Sequence, residues 1–356
     1  MHTRPLNWII GAAATVAITL PLAGCGPDAD NGADDAATAD AGEVNLYSAR
    51  QEQLIQPLLE DFTDETGIEV NLVTGGADAL LQRLRQEGRN SPADVFITTD
   101  AGRLHQAHAA GVLQGIESET LENNVPERYR DPDGEWFGLS MRARPIMYHT
   151  DRVDPSELST YEALTDEQWE GRICIRSSDN IYNQSLVASM IATEGEDAAQ
   201  QWVNGIVANM ARRPQGGDRD QIRAAADGVC DIAIANTYYL GMMLEGEGRD
   251  REVAEQIGVF WPNQDDRGTH VNISGAGVTA HAPNQENAAR LIEYLTSESA
   301  QEWYAEANQE YPIRDDVPAS DILAGFGDFV SDDIDLYLLG ENNAEAVRTL
   351  DRGGWR

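Results

Sequence analysis

The sequence predicts an α/β protein made of two lobes that are joined by two crossing strands. Short apolar segments typical of strands alternate with segments whose apolar residues recur at helical spacing, which indicates parallel α/β sheets. The alternation stops near Gly138, where a longer extended segment begins, and a second extended segment follows late in the chain. A lobe built from both chain ends, with a second lobe inserted between them, would explain this order.

The part of the chain before Gly138 alternates three strands with three helices. Leu54, Leu58 and Phe62 lie on one face of the first helix, which we expect to end at Gly67. The predicted elements are a strand at 44–48, the first helix, a strand at 68–73, a helix that carries Leu80 to Leu84 and ends at Gly88, a strand at 94–98, and a helix at 101–110.

The two extended segments, 139–149 and 271–280, are the predicted crossing strands. The other predicted elements are strands at 172–175 and 231–235 and helices at 183–193, 198–208, 218–227, 285–295 and 298–305. We therefore assign residues 43–140 and 277–356 to lobe 1 and residues 141–276 to lobe 2. Ligands of such open sheets bind beyond the carboxyl ends of the strands, here in the cleft between the lobes.

The first 24 residues have the features of a removable export signal. Residues 8–20 form an apolar, uncharged run that is too short to span a membrane. Leu22-Ala23-Gly24-Cys25 resembles a bacterial lipobox, in which Cys25 would carry the lipid anchor; the alternative is a plain secretory signal. Residues 25–42, rich in Asp, Ala and Gly, are expected to form a flexible tether.

The chain is strongly acidic, with a formal net charge of −36, and all 25 of its basic residues are arginine. Repulsion from phosphate excludes nucleic acid as a partner. We expect a monomer with an acidic surface of the kind found in salt-loving organisms.

Two cysteines remain if Cys25 carries lipid. Export permits a disulfide between Cys174 and Cys230. The alternative is a pair of buried free thiols.

Three tyrosines follow predicted strands of lobe 2 at the starts of helices. Tyr182 follows the strand at 172–175, and Tyr238 and Tyr239 follow the strand at 231–235, with Thr237 as the expected N-cap. The positive helix end should favour ionised phenols. Three hard, negative oxygen donors suit Fe³⁺, although the same tyrosines could instead stack on an organic ligand.

The remaining polar residues support binding more than catalysis. Arg50, which lies beside Gln51, and Arg142 and Arg144 on the first crossing strand carry guanidinium forks that suit a planar oxyanion, unless these arginines serve only as structural ion pairs. His105 and His108 are expected to be solvated, and the 218–220 stretch to be helix-start charge. The sequence has no catalytic motif, so we expect a binding protein and not an enzyme.

Eight short motifs follow one another along residues 43–315. They are Asn45-Leu-Tyr-Ser-Ala-Arg50-Gln51, Ser91-Pro-Ala-Asp-Val-Phe96, Trp136-Phe-Gly-Leu139, Arg142-Ala-Arg144, Ile181-Tyr182-Asn-Gln-Ser185, Arg213-Pro-Gln-Gly-Gly-Asp-Arg-Asp220, Tyr238-Tyr239 and Asn272-Ile-Ser-Gly275. Together they resemble the bacterial periplasmic ferric-binding proteins, which belong to the transferrin-like branch of periplasmic binding proteins.

This resemblance implies a flytrap fold with two hinge strands and Fe³⁺ bound in the cleft. Carried over motif by motif, the metal ligands would be Tyr182, Tyr238 and Tyr239. Arg142, with help from Arg50 and Gln51, would hold a synergistic anion such as carbonate. Cys174 and Cys230 also fall where some relatives have a disulfide.

The resemblance further implies delivery to the permease and ATPase of an ABC importer from the periplasm. Many relatives have a His or Tyr ligand just after the first strand, but this chain has Arg50-Gln51-Glu52-Gln53 there. It therefore resembles the subgroup that uses tyrosines plus an anion, with Glu52 or water as further candidates. The alternative is a binding protein of the same fold for an oxyanion, a polyamine or another small organic ligand.

The acidic surface leads to a prediction about salt. Because added salt screens the repulsion between carboxylates, the melting temperature should rise along a series of increasing salt concentration. Thermal melts by circular dichroism would measure it. Highest stability at the lowest salt concentration would contradict the expected adaptation to salt.

Overall fold

Strands and helices alternate along most of the chain, as the apolar pattern predicts. The computed structural model describes residues 42–356. The predicted export signal at 1–24, the lipidation site Cys25 and all of the tether except Gly42 lie outside the described residues. Within 42–356, no helix combines the length and the apolar character that crossing a membrane requires.

The strands form two mixed sheets. They are β1 (Glu43–Ser48), β2 (Glu69–Thr74), β3 (Val95–Thr98), β4 (Leu113–Gln114), β5 (Phe137–Ala143), β6 (Ile146–His149), β7 (Ile173–Cys174), β8 (Ile232–Ile234), β9 (Ile257–Phe260) and β10 (Val271–Thr279). The first sheet has the order β2-β1-β3-β10-β4, with β5 also paired to β10, and the second has the order β7-β8-β6-β9.

The direction of the strands differs in part from the prediction. Strands β1, β2 and β3 are parallel, and so are β7 and β8. Strand β10 runs antiparallel to β3, β4 and β5, and β6 runs antiparallel to β8 and β9. The predicted parallel arrangement is confirmed for the first three strands, whereas the strands nearest the two crossings run antiparallel to their neighbours.

The predicted helices are present within a few residues of their expected bounds. The helices are α1 (Gln56–Thr66), α2 (Ala77–Glu87), α3 (Ala101–Ala109), α4 (Glu119–Asn124), α5 (Ile181–Glu194), α6 (Glu196–Asn209), α7 (Asp218–Ala226), α8 (Thr237–Glu245), α9 (Arg249–Ala254), α10 (Gln285–Leu295), α11 (Glu298–Asn308), α12 (Asp321–Ala324), α13 (Tyr337–Glu341) and α14 (Asn343–Arg352). Gly67 ends α1 in the left-handed conformation, with φ 72°, as a glycine C-cap does.

The two crossings differ in detail from the prediction. The segment 139–149 is not one strand, because it changes sheet between β5 and β6 at Arg144 and Pro145. Proline has no N–H to donate to a ladder, which suits a break between strands. The return crossing occupies 261–270, ahead of the predicted 271–280, since β10 already pairs with β5 from Val271 onwards.

The C-terminal helices pack against helices that come before and after the first crossing in the sequence. Helix α13 contacts α3 and α5, and α14 contacts α5 and α6. The ring of Tyr337 lies 4.8 Å from that of His105 in α3, and Trp355 Nε1 donates to the carbonyl oxygen of Arg176 at 2.9 Å. The predicted bounds of the lobes, 43–140 with 277–356 for lobe 1 and 141–276 for lobe 2, remain a prediction. Residues 337–355, assigned to lobe 1, also contact lobe 2.

Cys174 and Cys230 are joined by a disulfide bond. Cys174 ends β7 and Cys230 lies just before β8, so the bond links two neighbouring strands of the second sheet. Both residues are buried in an apolar cluster with Met147, Ile222 and Leu240. The alternative of two free thiols is therefore wrong.

Replacing both cysteines, as Cys174→Ala with Cys230→Ala, should destabilise the protein. The bond closes a loop between residues 56 positions apart, and losing such a constraint costs about 2–4 kcal/mol of unfolding free energy. Urea unfolding would measure the loss. Reductant should lower the stability of the wild-type protein by a similar amount and leave the variant unchanged; equal midpoints for all samples would contradict this.

Candidate metal site in the interlobe cleft

A cavity of about 670 Å³ lies in the cleft between the two lobes. The six residues predicted to bind a metal or an anion all line it, namely Arg50, Gln51, Arg142, Tyr182, Tyr238 and Tyr239. Arg50 and Gln51 follow β1, while Tyr238 and Tyr239 follow β8. The cavity therefore lies where the carboxyl ends of strands from both sheets face each other, as expected for an open α/β sheet.

The structure brings the three predicted tyrosines together. The Oη atoms of Tyr182 and Tyr238 are 3.3 Å apart, and the ring centroids of Tyr238 and Tyr239 are 4.1 Å apart. Tyr182 is the second residue of α5, where the side chain of Asn180 caps the helix by accepting from the Tyr182 amide at 3.2 Å. Two separate helix starts thus present phenol oxygens to one point.

The start of α8 differs from the prediction. The N-cap is Asn236 and not Thr237, which is the first helical residue. Asn236 makes no capping hydrogen bond, because its Oδ1 accepts instead from Arg144 Nη1 at 2.9 Å. The side chain that would normally cap this helix therefore links it to an arginine at the crossing.

Burial controls the protonation of these phenols. It raises the pKa of Tyr238 and Tyr239 above the ordinary value, and the neighbouring Tyr182 phenol adds to the rise in both. The positive helix end was expected to lower the pKa of these phenols, so the direction of the shift is opposite to the prediction. Tyr238 and Tyr239 therefore keep their protons at neutral pH in the free protein, and a cation is needed to displace these protons.

Arg142 places a positive charge beside the phenols. Its guanidinium donates to Ser274 Oγ at 3.1 Å and to the carbonyl oxygen of Thr99, and its Cζ lies 5.5 Å from the ring centroid of Tyr182. None of its hydrogen bonds within 42–356 goes to a carboxylate. Burial raises the pKa of Asp100, and the nearby charge of Arg142 opposes that rise, so anion binding by Arg142 remains a prediction.

Arg50 has a counter-ion that sequence analysis missed. Its guanidinium donates to Glu310 Oε2 at 2.7 Å and to Ser274 Oγ at 2.9 Å. Gln51 is exposed, and its Oε1 accepts from Gln53 Nε2 at 2.6 Å. Since Glu310 neutralises Arg50, anion binding by Arg50 and Gln51 remains a prediction.

Asp218 and Arg176 are further cleft residues that sequence analysis did not identify. Asp218 starts α7, as its assignment to helix-start charge predicted, but its carboxylate is buried between Arg144 at 2.9 Å and Arg176 at 2.6 Å. The turn before it contains Gly216 at φ 72°, where a Cβ would lie 2.4 Å from Asp220 Oδ2. Gly216-Gly217 was the sequence feature that could have indicated a tight turn at this site.

Other metal-binding groups are not found among residues 42–356, which contain no cluster of three or more His, Cys, Asp or Glu side chains suited to a metal. Glu52 is exposed and does not line the cavity. The prediction that His105 and His108 are solvated is wrong, because both rings pack on Tyr337 and His108 Nδ1 lies 2.7 Å from Glu135 Oε2. The three phenols thus line the cleft as oxygen donors, beside the carboxylates of Asp218, Asp220 and Glu310.

The fold and this cleft are those of a solute-binding protein. Residues 90–324 match the family of bacterial extracellular solute-binding proteins, and the chain belongs to that family. Iron uptake protein A1 of Synechocystis is 48% identical over 356 residues, covering 99% of each chain. Such relatives are transport proteins that bind solutes.

Two solved structures show the same fold at high similarity. One is a Trichodesmium protein in complex with iron and citrate ligands, with 50% identity and a TM-score of 0.85 over 88% of this chain and 100% of that one. The other is a ferric binding protein from Campylobacter jejuni, with 40% identity and a TM-score of 0.85 over the same shares. The similarity covers both lobes and the cleft between them.

Replacing Glu310 by Gln should destabilise the protein by about 3–5 kcal/mol, because it leaves the buried Arg50 guanidinium without a counter-charge. The side chain of Glu310 is only 7% exposed, and that of Arg50 is only 1% exposed. Urea unfolding would measure the change. The control is Glu255→Gln, whose partner Arg251 is exposed and whose loss should cost less than about 1 kcal/mol; equal stabilities for the two variants would contradict the expectation.

Proposed function

We propose that this chain is the extracytoplasmic solute-binding component of an ABC importer and that it carries Fe³⁺ in the interlobe cleft. The convergence of three phenols supports this proposal most directly, with the Oη atoms of Tyr182 and Tyr238 only 3.3 Å apart. Relatives at 48% and 50% identity are an iron uptake protein and a protein solved with iron and citrate.

The three phenols suit Fe³⁺ better than they suit a divalent ion. Phenolate is a hard oxygen donor, and three phenolates balance three positive charges. Because burial raises the pKa of Tyr238 and Tyr239, each must release its proton when it binds the ion. A highly charged cation repays that cost more readily than a weakly charged one.

An anion would occupy the coordination positions that the phenolates leave open. Arg142 is the residue proposed to hold it, because its guanidinium is next to Tyr182 and is not paired with a carboxylate in the described part of the chain. Carbonate or a similar planar oxyanion fits the guanidinium fork. Arg50 and Gln51 are proposed to assist, and Glu52 or water would complete the coordination.

Transport requires the closed form to bind iron more tightly than the open form. The three phenols belong to the inserted lobe, so iron can load on that lobe before Arg50 and its neighbours in the other lobe close over it. The closed form would dock on the permease, and the ATPase would drive import. We propose a monomer in the periplasm, anchored to a membrane through Cys25.

Replacing Tyr238 and Tyr239 by Phe should abolish iron binding. Ferric phenolate complexes absorb visible light, so the wild-type protein incubated with ferric citrate should turn orange-red and the double variant should stay colourless. Loss of a residue that holds a metal ligand from outside can lower metal affinity roughly 100-fold. Removing a ligand itself should lower the affinity at least as much. Visible spectra and metal analysis would measure both effects.

Tyr148→Phe is the matched control, because Tyr148 lies in β6 and does not line the cavity. It should bind iron as the wild-type protein does. A colourless wild-type protein would overturn the ferric cargo and favour an oxyanion, a polyamine or another small organic ligand. Full colour in the double variant would overturn the assignment of these two tyrosines.

A further inference from the structure

Arg144 is a buried arginine at the point where the chain passes from the first sheet to the second. It lies between β5 and β6 and is 2% exposed. Its backbone is held on both sides, since its amide donates to the His270 carbonyl oxygen at 3.0 Å and its carbonyl oxygen accepts from Tyr161 Oη at 2.7 Å. The base of this side chain is therefore fixed to the crossing.

The guanidinium of Arg144 contacts three separate parts of the second lobe. Nη1 donates to Asp218 Oδ1 and to Asn236 Oδ1, both at 2.9 Å. Nη2 donates to Asn183 Oδ1 at 2.7 Å and to the carbonyl oxygen of Ile234 at 3.3 Å. One planar group thus joins the starts of α5, α7 and α8 and the end of β8.

Two of these contacts lie next to the phenols. Asn183 follows Tyr182 directly in α5, and Asn236 precedes Tyr238 by two residues. A further contact, Asp218, also pairs with Arg176, which lines the cavity. The two phenol-bearing helix starts are therefore linked through one side chain, which does not line the cavity and whose Cζ lies 6.0 Å from the ring centroid of Tyr182.

We propose that Arg144 is the positioning residue that holds Tyr182 and the Tyr238–Tyr239 pair in one ligand geometry. The inference rests on the proposed function, because it assumes that these phenols bind the ion. An arginine can hold four acceptors in one plane, whereas a lysine offers a single point charge. The geometry of the fork, and not its charge alone, sets the distance between the helix starts.

Arg144→Lys tests this directly, because it keeps the charge opposite Asp218 while removing the fork. Iron affinity should fall about 10- to 100-fold, as it does when an outer-shell partner of a metal ligand is lost. The phenolate charge-transfer band should also shift or weaken, because the phenols no longer meet the ion in the same arrangement. Competition with a ferric chelator and visible spectra would measure the two effects.

Arg152→Lys is the matched control. Arg152 also bridges a carboxylate, Asp231 at 2.6 Å, and main-chain carbonyl oxygens, including that of Cys230 at 3.1 Å, but it does not line the cavity or contact the helix starts. Both variants are expected to melt at a lower temperature than the wild type, and only Arg144→Lys should change the iron band. Equal loss of affinity in both, or a wild-type band and affinity in Arg144→Lys, would overturn the positioning role.

Asn236→Ala provides a second test that leaves the Arg144–Asp218 pair in place. It removes only the link to α8, and it removes no helix cap because this side chain does not cap. Affinity should fall in the same direction, but by less than in Arg144→Lys. If Asn236→Ala binds iron with wild-type affinity, the link to α8 is contradicted. If the wild-type protein itself takes up no iron, the proposed function is overturned, whatever the variants do.

Discussion

The buried carboxylate of Asp218 is the charge on which the arrangement of the second lobe depends. A carboxylate removed from water must be paired, and an unpaired one is strongly destabilising. Here two arginines share it, Arg144 from the crossing and Arg176 from the segment after β7. Arg144 also donates to the amide oxygens of Asn236 and Asn183, which extends the same buried network. These hydrogen bonds and ion pairs favour the arrangement of α5, α7 and α8 that the structure has, because each of them would be lost if one helix start moved.

The cleft combines neutral and positive groups within a protein whose net charge is −36. Asp218 is balanced by Arg144 and Arg176, and Glu310 by Arg50. Arg142 forms no direct ion pair among residues 42–356, but its charge opposes the rise that burial causes in the pKa of Asp100. In the proposed complex the three phenolates neutralise the ion, and Arg142 can still donate to an anion that binds with the metal.

The sequence was sufficient to place the three tyrosines together, because each follows a short apolar strand at the start of a helix. Local patterns could not identify Glu310 as the partner of Arg50, since the two are far apart in sequence and meet only in the fold. The same limit applies to Asp218, which local pattern explained as helix-start charge. Pro145 was visible in the sequence and marks where the extended segment breaks. The return crossing was misplaced by about ten residues because β10 has the same extended pattern as a crossing strand.

The packing of α13 has a mechanical consequence for how such a cleft can open. Two crossings alone would let one lobe swing freely about a hinge. Here α13 lies against α3 of one lobe and α5 of the other, and α14 continues along α5 and α6. Packed helices move by small sliding steps, because larger displacements would expose apolar surface. The lobes should therefore separate by shear at this contact, and the width of the opening is limited by how far α13 can slide before its side chains lose their neighbours.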